Sequence, residues 1–121
     1  METIFSSVFS RLQGFRSVQE SIEKRISPVS VTGLSHIHRA QLLHTVSAGG
    51  GVSLAVTATE AEAKRLCDDI NMMAGDSSAV LFPSKELVFT PADSSSHEYE
   101  YMRISALSRA LRAAAVLYAQ A

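Results

Sequence analysis

Apolar positions in the first 26 residues recur at steps of three and four, the spacing of one face of a helix. This stripe consists of Ile4, Val8, Leu12, Phe15, Val18, Ile22 and Ile26. The pattern ends at Ser27-Pro28, because the residue before a proline is pushed out of the helical region. We therefore predict one amphipathic helix from about Thr3 to Ile26. Packing of this helix on its own domain is favoured over docking on a partner.

After Pro28, short β-branched runs alternate with longer runs of helical periodicity. The runs typical of strands are residues 29–32, 52–57, 79–82 and 115–119. The runs typical of helices are residues 36–48, 59–74 and 97–113. Alternating strands and helices favour a mostly parallel sheet with helices on both faces. A loop rich in Ser, Pro and Asp covers residues 83–96, with a little extended structure expected at residues 87–89.

Local signals mark the ends of these predicted helices. Ser35 is a plausible N-cap, and Thr59 with Glu62 has the spacing of a capping box. A second capping box is predicted at Ser95 and Glu98, and Gly75 is predicted to end the middle helix. That middle helix is expected to bury one face, formed by Ala63, Leu66, Cys67, Ile70 and Met73.

The segment around Gly33 resembles a P-loop, G-x-x-x-x-G-K-[ST], in its predicted strand–loop–helix setting. With Gly33 as the first glycine, the second glycine falls on His38, the lysine on Arg39 and the hydroxyl on Ala40. The His38 ring fills space that phosphate needs, Arg39 is a bulkier cation than lysine, and Ala40 offers no oxygen to Mg²⁺. We predict a degenerate loop that binds no nucleotide. The alternative is that Gly33 is only a strand-to-helix turn.

Composition narrows the class of protein. The 121 residues are 46% hydrophobic, and 11 Lys+Arg against 12 Asp+Glu give a net charge of −1. The balanced charge argues against this segment binding nucleic acid by itself, because non-specific binding depends on clustered positive charge. No apolar run approaches the roughly 18 residues of a membrane span, and no signal-peptide pattern is evident. The single cysteine, Cys67, suits a reducing cytoplasm and is expected to be a buried small hydrophobe on a helix rather than a reactive nucleophile.

Other candidate chemistry is set aside. His36 and His38 are two residues apart and so lie on different sides of a helix, and His44 has no nearby carboxylate in sequence, which argues against a metal site. The run Ser94-Ser95-Ser96-His97-Glu98 is read as a helix cap rather than as a nucleophile and base. Asp68-Asp69 is read as a solvated helix face. We expect no catalytic residue, no metal and no bound cofactor.

Several of these landmarks together resemble one family. They are residues 29–40, the capped helix 59–74, Leu81-Phe82-Pro83-Ser84-Lys85-Glu86-Leu87, Ser96-His97-Glu98-Tyr99-Glu100 and Arg103-Ile104-Ser105-Ala106-Leu107. In order and spacing they are similar to the N-terminal UvrB-like module of bacterial transcription-repair coupling factors, the Mfd family. The resemblance implies a P-loop NTPase-like, RecA/UvrB-like α/β fold in which the loop at His38, Arg39 and Ala40 has degenerated.

The resemblance also implies a role. Proteins of this family are large, cytoplasmic and couple transcription to nucleotide excision repair by releasing stalled RNA polymerase and recruiting UvrA. ATP, Mg²⁺ and DNA are handled by separate motor domains, so this segment would be a non-catalytic scaffold, interaction or autoinhibitory module. The subdomain that contacts UvrA follows this segment in the family, and no UvrA-contacting residue is assigned here.

The expected organisation is an amphipathic helix at residues 1–26 and a degenerate P-loop subdomain at residues 27–121. An apolar strand at the end of the chain would leave a sheet edge uncovered, so we expect an incomplete domain that is completed by the rest of the same polypeptide. Two alternatives stay open. One is a nucleotide-binding P-loop protein that uses Arg39 in place of lysine, and the other is a free-standing α/β interaction domain.

Overall fold

The computed structural model of the chain describes residues 7–8, 11–84 and 97–119, the last six as backbone alone. It has four helices with described bounds, α1 (Gln13–Glu23), α2 (His36–Ser47), α3 (Glu60–Ala74) and α4 (Glu98–Ala119), and residues 7–8 are helical as well. No strand occurs in the described part of the chain. The predicted α/β fold with a mostly parallel sheet is therefore wrong for the described residues, which are helical with irregular connections.

The β-branched runs at residues 29–32, 52–57 and 79–82 lie between helices but form no strand. A strand requires a ladder of hydrogen bonds to a neighbouring strand, and β-propensity reports only how well side chains suit such a surface. Most side chains of these runs stay exposed instead, with Leu54 at 83% and Val56 at 85%, whereas Thr57, Ala79 and Leu81 are half-buried. The sequence pattern correctly excluded helix here, but it could not supply the pairing partner.

The predicted fourth strand at residues 115–119 is also wrong, because α4 continues through these residues to Ala119. The helix has 22 residues, and its later part contains Ala113, Ala114 and Ala115. Alanine has the highest intrinsic helix propensity, so this run carries the helix past the point where the sequence pattern suggested a change.

The predicted N-terminal helix is interrupted at Leu12 and ends earlier than predicted, although residues 7–8 are helical as predicted. Leu12 precedes α1 with φ −72° and ψ 130°, an extended conformation that interrupts any helix running continuously from Thr3 to Ile26. At its other end α1 stops at Glu23, and Arg25 takes a φ of 54° before Pro28 is reached. The division of the chain at residue 26 stays a prediction.

The two middle helices begin and end close to where the sequence signals predict. Ser35 precedes α2 in the extended conformation of an N-cap residue, but its side chain makes no capping hydrogen bond, and its Oγ lies 3.0 Å from His38 Nδ1 instead. The backbone N–H of Glu62 donates to Thr59 Oγ1 at 3.2 Å, which is one of the two hydrogen bonds of the predicted capping box. Gly75 ends α3 with a φ of 71°, and its N–H donates to the carbonyl of Asn71 at 2.9 Å. Both helices therefore begin or end where local chemistry predicts.

Some predictions lie outside the described residues. They are the start of the first helix at Thr3 and Ile4, the extended segment at residues 87–89, the serines Ser94 to Ser96, and with them the capping role of Ser95. Glu98, the partner predicted for Ser95, is the first residue of α4.

The chain divides into two compact units, Met1–Gly50 with Arg65–Ala79 and Gly51–Lys64 with Val80–Ala121. In the first unit, Phe15 is 6% exposed and Ala40 is fully buried, whereas in the second unit Pro83 is fully buried. The predicted inward face of α3 is half-buried at all five positions. None of the described helices has the length and apolar content that crossing a membrane requires.

Candidate functional site

The residues aligned with the P-loop lie in a bend and in the first two turns of α2. Gly33 has a φ of 78°, in the left-handed region that favours glycine. The segment before it forms no strand, so the strand–loop–helix setting is reduced to a bend and a helix. Space around Gly33 is open, because a Cβ built there would meet no atom within 4 Å. Backbone conformation, rather than close packing, accounts for a glycine at this position.

The three residues in place of the P-loop signature have different surroundings. His38 is exposed, and its Nδ1 lies 3.0 Å from Ser35 Oγ, so the ring closes over the N-cap. Arg39 is exposed, and its N–H donates to the Ser35 carbonyl at 3.0 Å as an ordinary helical bond. Ala40 is fully buried. The methyl group at the position of the Mg²⁺-binding hydroxyl is thus part of the protein interior.

The histidines of α2 do not converge with other metal-binding side chains. No group of three His, Cys, Asp or Glu residues able to hold a metal ion is found among the described residues. His36 is exposed like His38, and His44 is half-buried. The expectation that the segment takes no metal and no cofactor stays a prediction.

A side-chain amide in α3 holds the segment that follows the helix. Asn71 Nδ2 donates to the carbonyl of Ala79 at 3.0 Å, and Asn71 Oδ1 accepts from the N–H of Ala79 at 2.8 Å. Between them, Asp76 Oδ1 accepts from the N–H of Ser78 at 2.9 Å, which forms a local turn. Asn71 Nδ2 also lies 3.6 Å from Sγ of half-buried Cys67. The chain therefore leaves α3 in a fixed direction.

A second tie joins residues 80–84 to α4 within the second unit. Arg103 Nη1 donates to the carbonyl of Pro83 at 2.6 Å, and its guanidinium carbon lies 4.2 Å from the centroid of the Phe82 ring. The geometry is that of a charge-assisted hydrogen bond combined with a cation–π contact. Ser84 Oγ donates to Glu60 Oε2 at 3.5 Å, which adds a weaker contact to the start of α3. We call Phe82, Pro83 and Arg103 the arginine cluster.

A shallow open depression lies beside the arginine cluster. Its lining is formed by Val80, Leu81, His97, Glu98, Tyr101, Met102 and Ser105. At its edge, His97 Nδ1 lies 3.1 Å from Glu100 Oε2, with both side chains largely exposed. The depression is open to solvent, so it offers surface for contact rather than a closed reaction chamber.

The sequence pattern singled out Phe82, Pro83 and Arg103 as landmarks, but it did not predict that they touch. Asn71 was not predicted to have any role. The sequence signals that could have indicated these contacts were an arginine on an inward helix face and an asparagine near a helix end. Both residue types need hydrogen-bond partners when they are partly buried. Their partners are mainly backbone atoms. Every residue has a backbone, so the residue pattern does not show which partner is used.

Comparison of the chain with protein families, with curated proteins and with solved structures gives no match. The functional argument therefore rests on the chain's own residues.

Proposed function

We propose that this chain is a non-catalytic interaction segment of a transcription-repair coupling factor. In this proposal it contacts the rest of its own polypeptide or other proteins, and it has no part in ATP hydrolysis. RNA polymerase, UvrA and DNA would be engaged by the full-length protein, and DNA by its motor domains rather than by this segment. An autoinhibitory role is compatible with the same contacts.

The observation that carries the non-catalytic part of this proposal is the buried methyl group of Ala40. A P-loop needs a hydroxyl at this position to ligate Mg²⁺, in contact with the bound phosphates. Ala40 has no oxygen and is fully buried. His38 adds to the argument, because its ring lies against the N-cap where a glycine would leave room for phosphate.

The interaction part of the proposal is supported by apolar surface. Large hydrophobic side chains are exposed at Val52, Leu54 and Val56, the last two at 83% and 85%. Scattered exposed apolar residues are ordinary, but contiguous ones mark contact surfaces. The coupling-factor identity is supported by the sequence landmarks, of which Phe82, Pro83 and Arg103 lie together in one cluster.

The proposal is tested on the native protein. An antibody raised against this chain should detect, in cells that carry its gene, a polypeptide several times larger than 13.0 kDa. Mass spectrometry of that polypeptide should find helicase-type motor sequences, and RNA polymerase should co-purify with it. A native polypeptide of 13.0 kDa without motor sequences would instead support the free-standing interaction domain and reject the coupling-factor assignment.

A further inference from the structure

Helix α4 has one half-buried side and one exposed side that is apolar rather than polar. A helix turns about 100° per residue, so its described side chains can be placed around the axis. Of the half-buried residues, Met102, Arg103, Ala106 and Ala110 lie on one side of α4, and Ser108 lies among the exposed residues of another side. That other side carries four large apolar or aromatic side chains: Tyr101 at 71% exposed, Ile104 at 63%, Leu107 at 54% and Leu111 at 71%. An outward face is normally polar, and this one is not.

The exposed side chains form a continuous seam along α4. Their spacings of three, three and four residues keep them on one side of the helix over about 15 Å. Ile104, Leu107 and Leu111 line one open depression together with Ser108 and Arg112. The small Ser108 side chain lets another helix approach closely, as holes between larger side chains do in helix pairs. We call Tyr101, Ile104, Leu107 and Leu111 the α4 seam.

Charged residues flank the α4 seam in a self-complementary order. Glu100 lies near one end of the seam and Arg112 near the other, and both are exposed. In an antiparallel pair with Ile104 opposite Leu107 of a second copy, Tyr101 comes opposite Leu111 to within one residue. The same register brings Glu100 opposite Arg112, also to within one residue. Two-fold symmetry then produces each of these contacts twice.

We propose that the α4 seam is a homodimer interface in which two copies of this chain pair α4 antiparallel. Each Glu100 carboxylate meets Arg112 of the other copy at the rim, and the apolar seam is buried between them. Glu100 Oε2 already lies 3.1 Å from His97 Nδ1, and a carboxylate accepts hydrogen bonds on both oxygens. A single helix pair is smaller than a standard stable interface, so the dimer is reversible, with a dissociation constant on the order of 10–100 µM.

The first test measures the mass of the whole 121-residue chain by sedimentation velocity and equilibrium from about 5 µM to about 500 µM, which brackets that constant. The mass should rise from 13.0 kDa toward twice that value without larger species. The double variant Ile104→Glu, Leu107→Glu should stay monomeric over the range with unchanged helical circular dichroism. A wild-type chain that stays monomeric throughout overturns the proposal.

The second test identifies the antiparallel register by charge reversal. Glu100→Arg places like charges opposite each other twice, and so does Arg112→Glu, so each variant should dimerise at least about 10-fold more weakly. An equimolar mixture of the two variants restores opposite charges at both positions and should regain near wild-type association. Mixing distinguishes an interface effect from a folding effect, because neither chain is repaired.

Glu98→Arg is the matched control. Glu98 is an exposed acid in the same first turn of α4, and it lines the depression beside the arginine cluster rather than the one lined by Ile104, Leu107 and Leu111. Its dimerisation should stay within about 2-fold of wild type, compared with the weakening of about 10-fold expected for Glu100→Arg. Equal weakening by Glu98→Arg and Glu100→Arg, or no restoration in the mixture, would overturn the antiparallel pairing.

Discussion

Asn71 in the first unit and Arg103 in the second unit both hold an irregular segment in place, but they use different contacts. Each is a polar side chain on a helix that holds an irregular segment through its backbone. Asn71 reaches a residue eight positions away, and it uses both its donor and its acceptor on Ala79. Arg103 reaches Pro83, 20 positions away, with one short charge-assisted bond and a stacked ring.

The difference shows that a contact must contribute more free energy when it joins residues that are farther apart in the chain. The segment held by Asn71 is already directed by Gly75 and by the turn at Asp76, so the amide completes a local structure. The arginine cluster joins residues 20 positions apart, and bringing the ends of a longer loop together costs more entropy. It also satisfies the carbonyl of a fully buried proline, which water cannot easily replace.

Arg103→Ala is expected to have the largest effect on stability, and it tests whether the arginine cluster contributes more than Asn71 does. The substitution removes the charge-assisted bond and the contact with Phe82, and it leaves the Pro83 carbonyl without this donor. We expect a loss of about 2–3 kcal/mol in the free energy of unfolding, measured by urea denaturation. Arg103→Lys keeps the charge but not the planar stack, and it should lose roughly half as much. A loss below about 0.5 kcal/mol for Arg103→Ala would show that the cluster contributes little.

A smaller effect is expected from Asn71→Ala. It removes both bonds to Ala79, but this half-buried backbone can still be reached by water, so the expected loss is about 1–2 kcal/mol. Asn71→Asp is the informative companion, because it keeps the acceptor for the Ala79 N–H and places a second acceptor against the Ala79 carbonyl. If the paired amide geometry is what matters, Asn71→Asp should not recover wild-type stability in the same denaturation assay.

The smallest expected effects come from two glycines that differ in backbone conformation. Gly75→Ala should cost about 1 kcal/mol, since Gly75 has a φ of 71° while space for a methyl group is open. Gly14→Ala, in a helical position of α1 with equally open space, should stabilise the chain by about 0.5–1 kcal/mol. Thermal unfolding followed by circular dichroism measures both, and equal signs for the two substitutions would contradict the conformational explanation.

Helix α3 was predictable because its signals are local. Thr59, Glu62 and Gly75 act on neighbouring backbone atoms, and the structure places all three as the sequence indicates. The sheet was not predictable in the same way, because a strand depends on a partner elsewhere in the chain. Residues 52–57 have the composition of a strand and still form none, so composition alone does not establish pairing.

The two ends of the helical pattern failed for different reasons. Leu12 fits the apolar periodicity of the first helix, yet its backbone is extended. Apolar periodicity reports which side chains share a face, and it does not reveal that one residue within the pattern breaks the helix. Residues 115–119 look like an apolar strand, but they follow an alanine run that continues α4. At the candidate site, the Gly33 bend and the missing hydroxyl at Ala40 were visible in the sequence, whereas burial of Ala40 and the arginine cluster required the fold.

The central claim is that the Gly33 bend and the start of α2 are structural and bind no nucleotide. The most direct test is a titration of the ¹⁵N-labelled chain with ATP and Mg²⁺ to about 5 mM, a concentration at which even a weak millimolar site would fill. The account predicts no saturable shift of the backbone amides of Gly33, His38, Arg39 and Ala40. Saturable, Mg²⁺-dependent shifts at these amides that disappear in Arg39→Ala would contradict it.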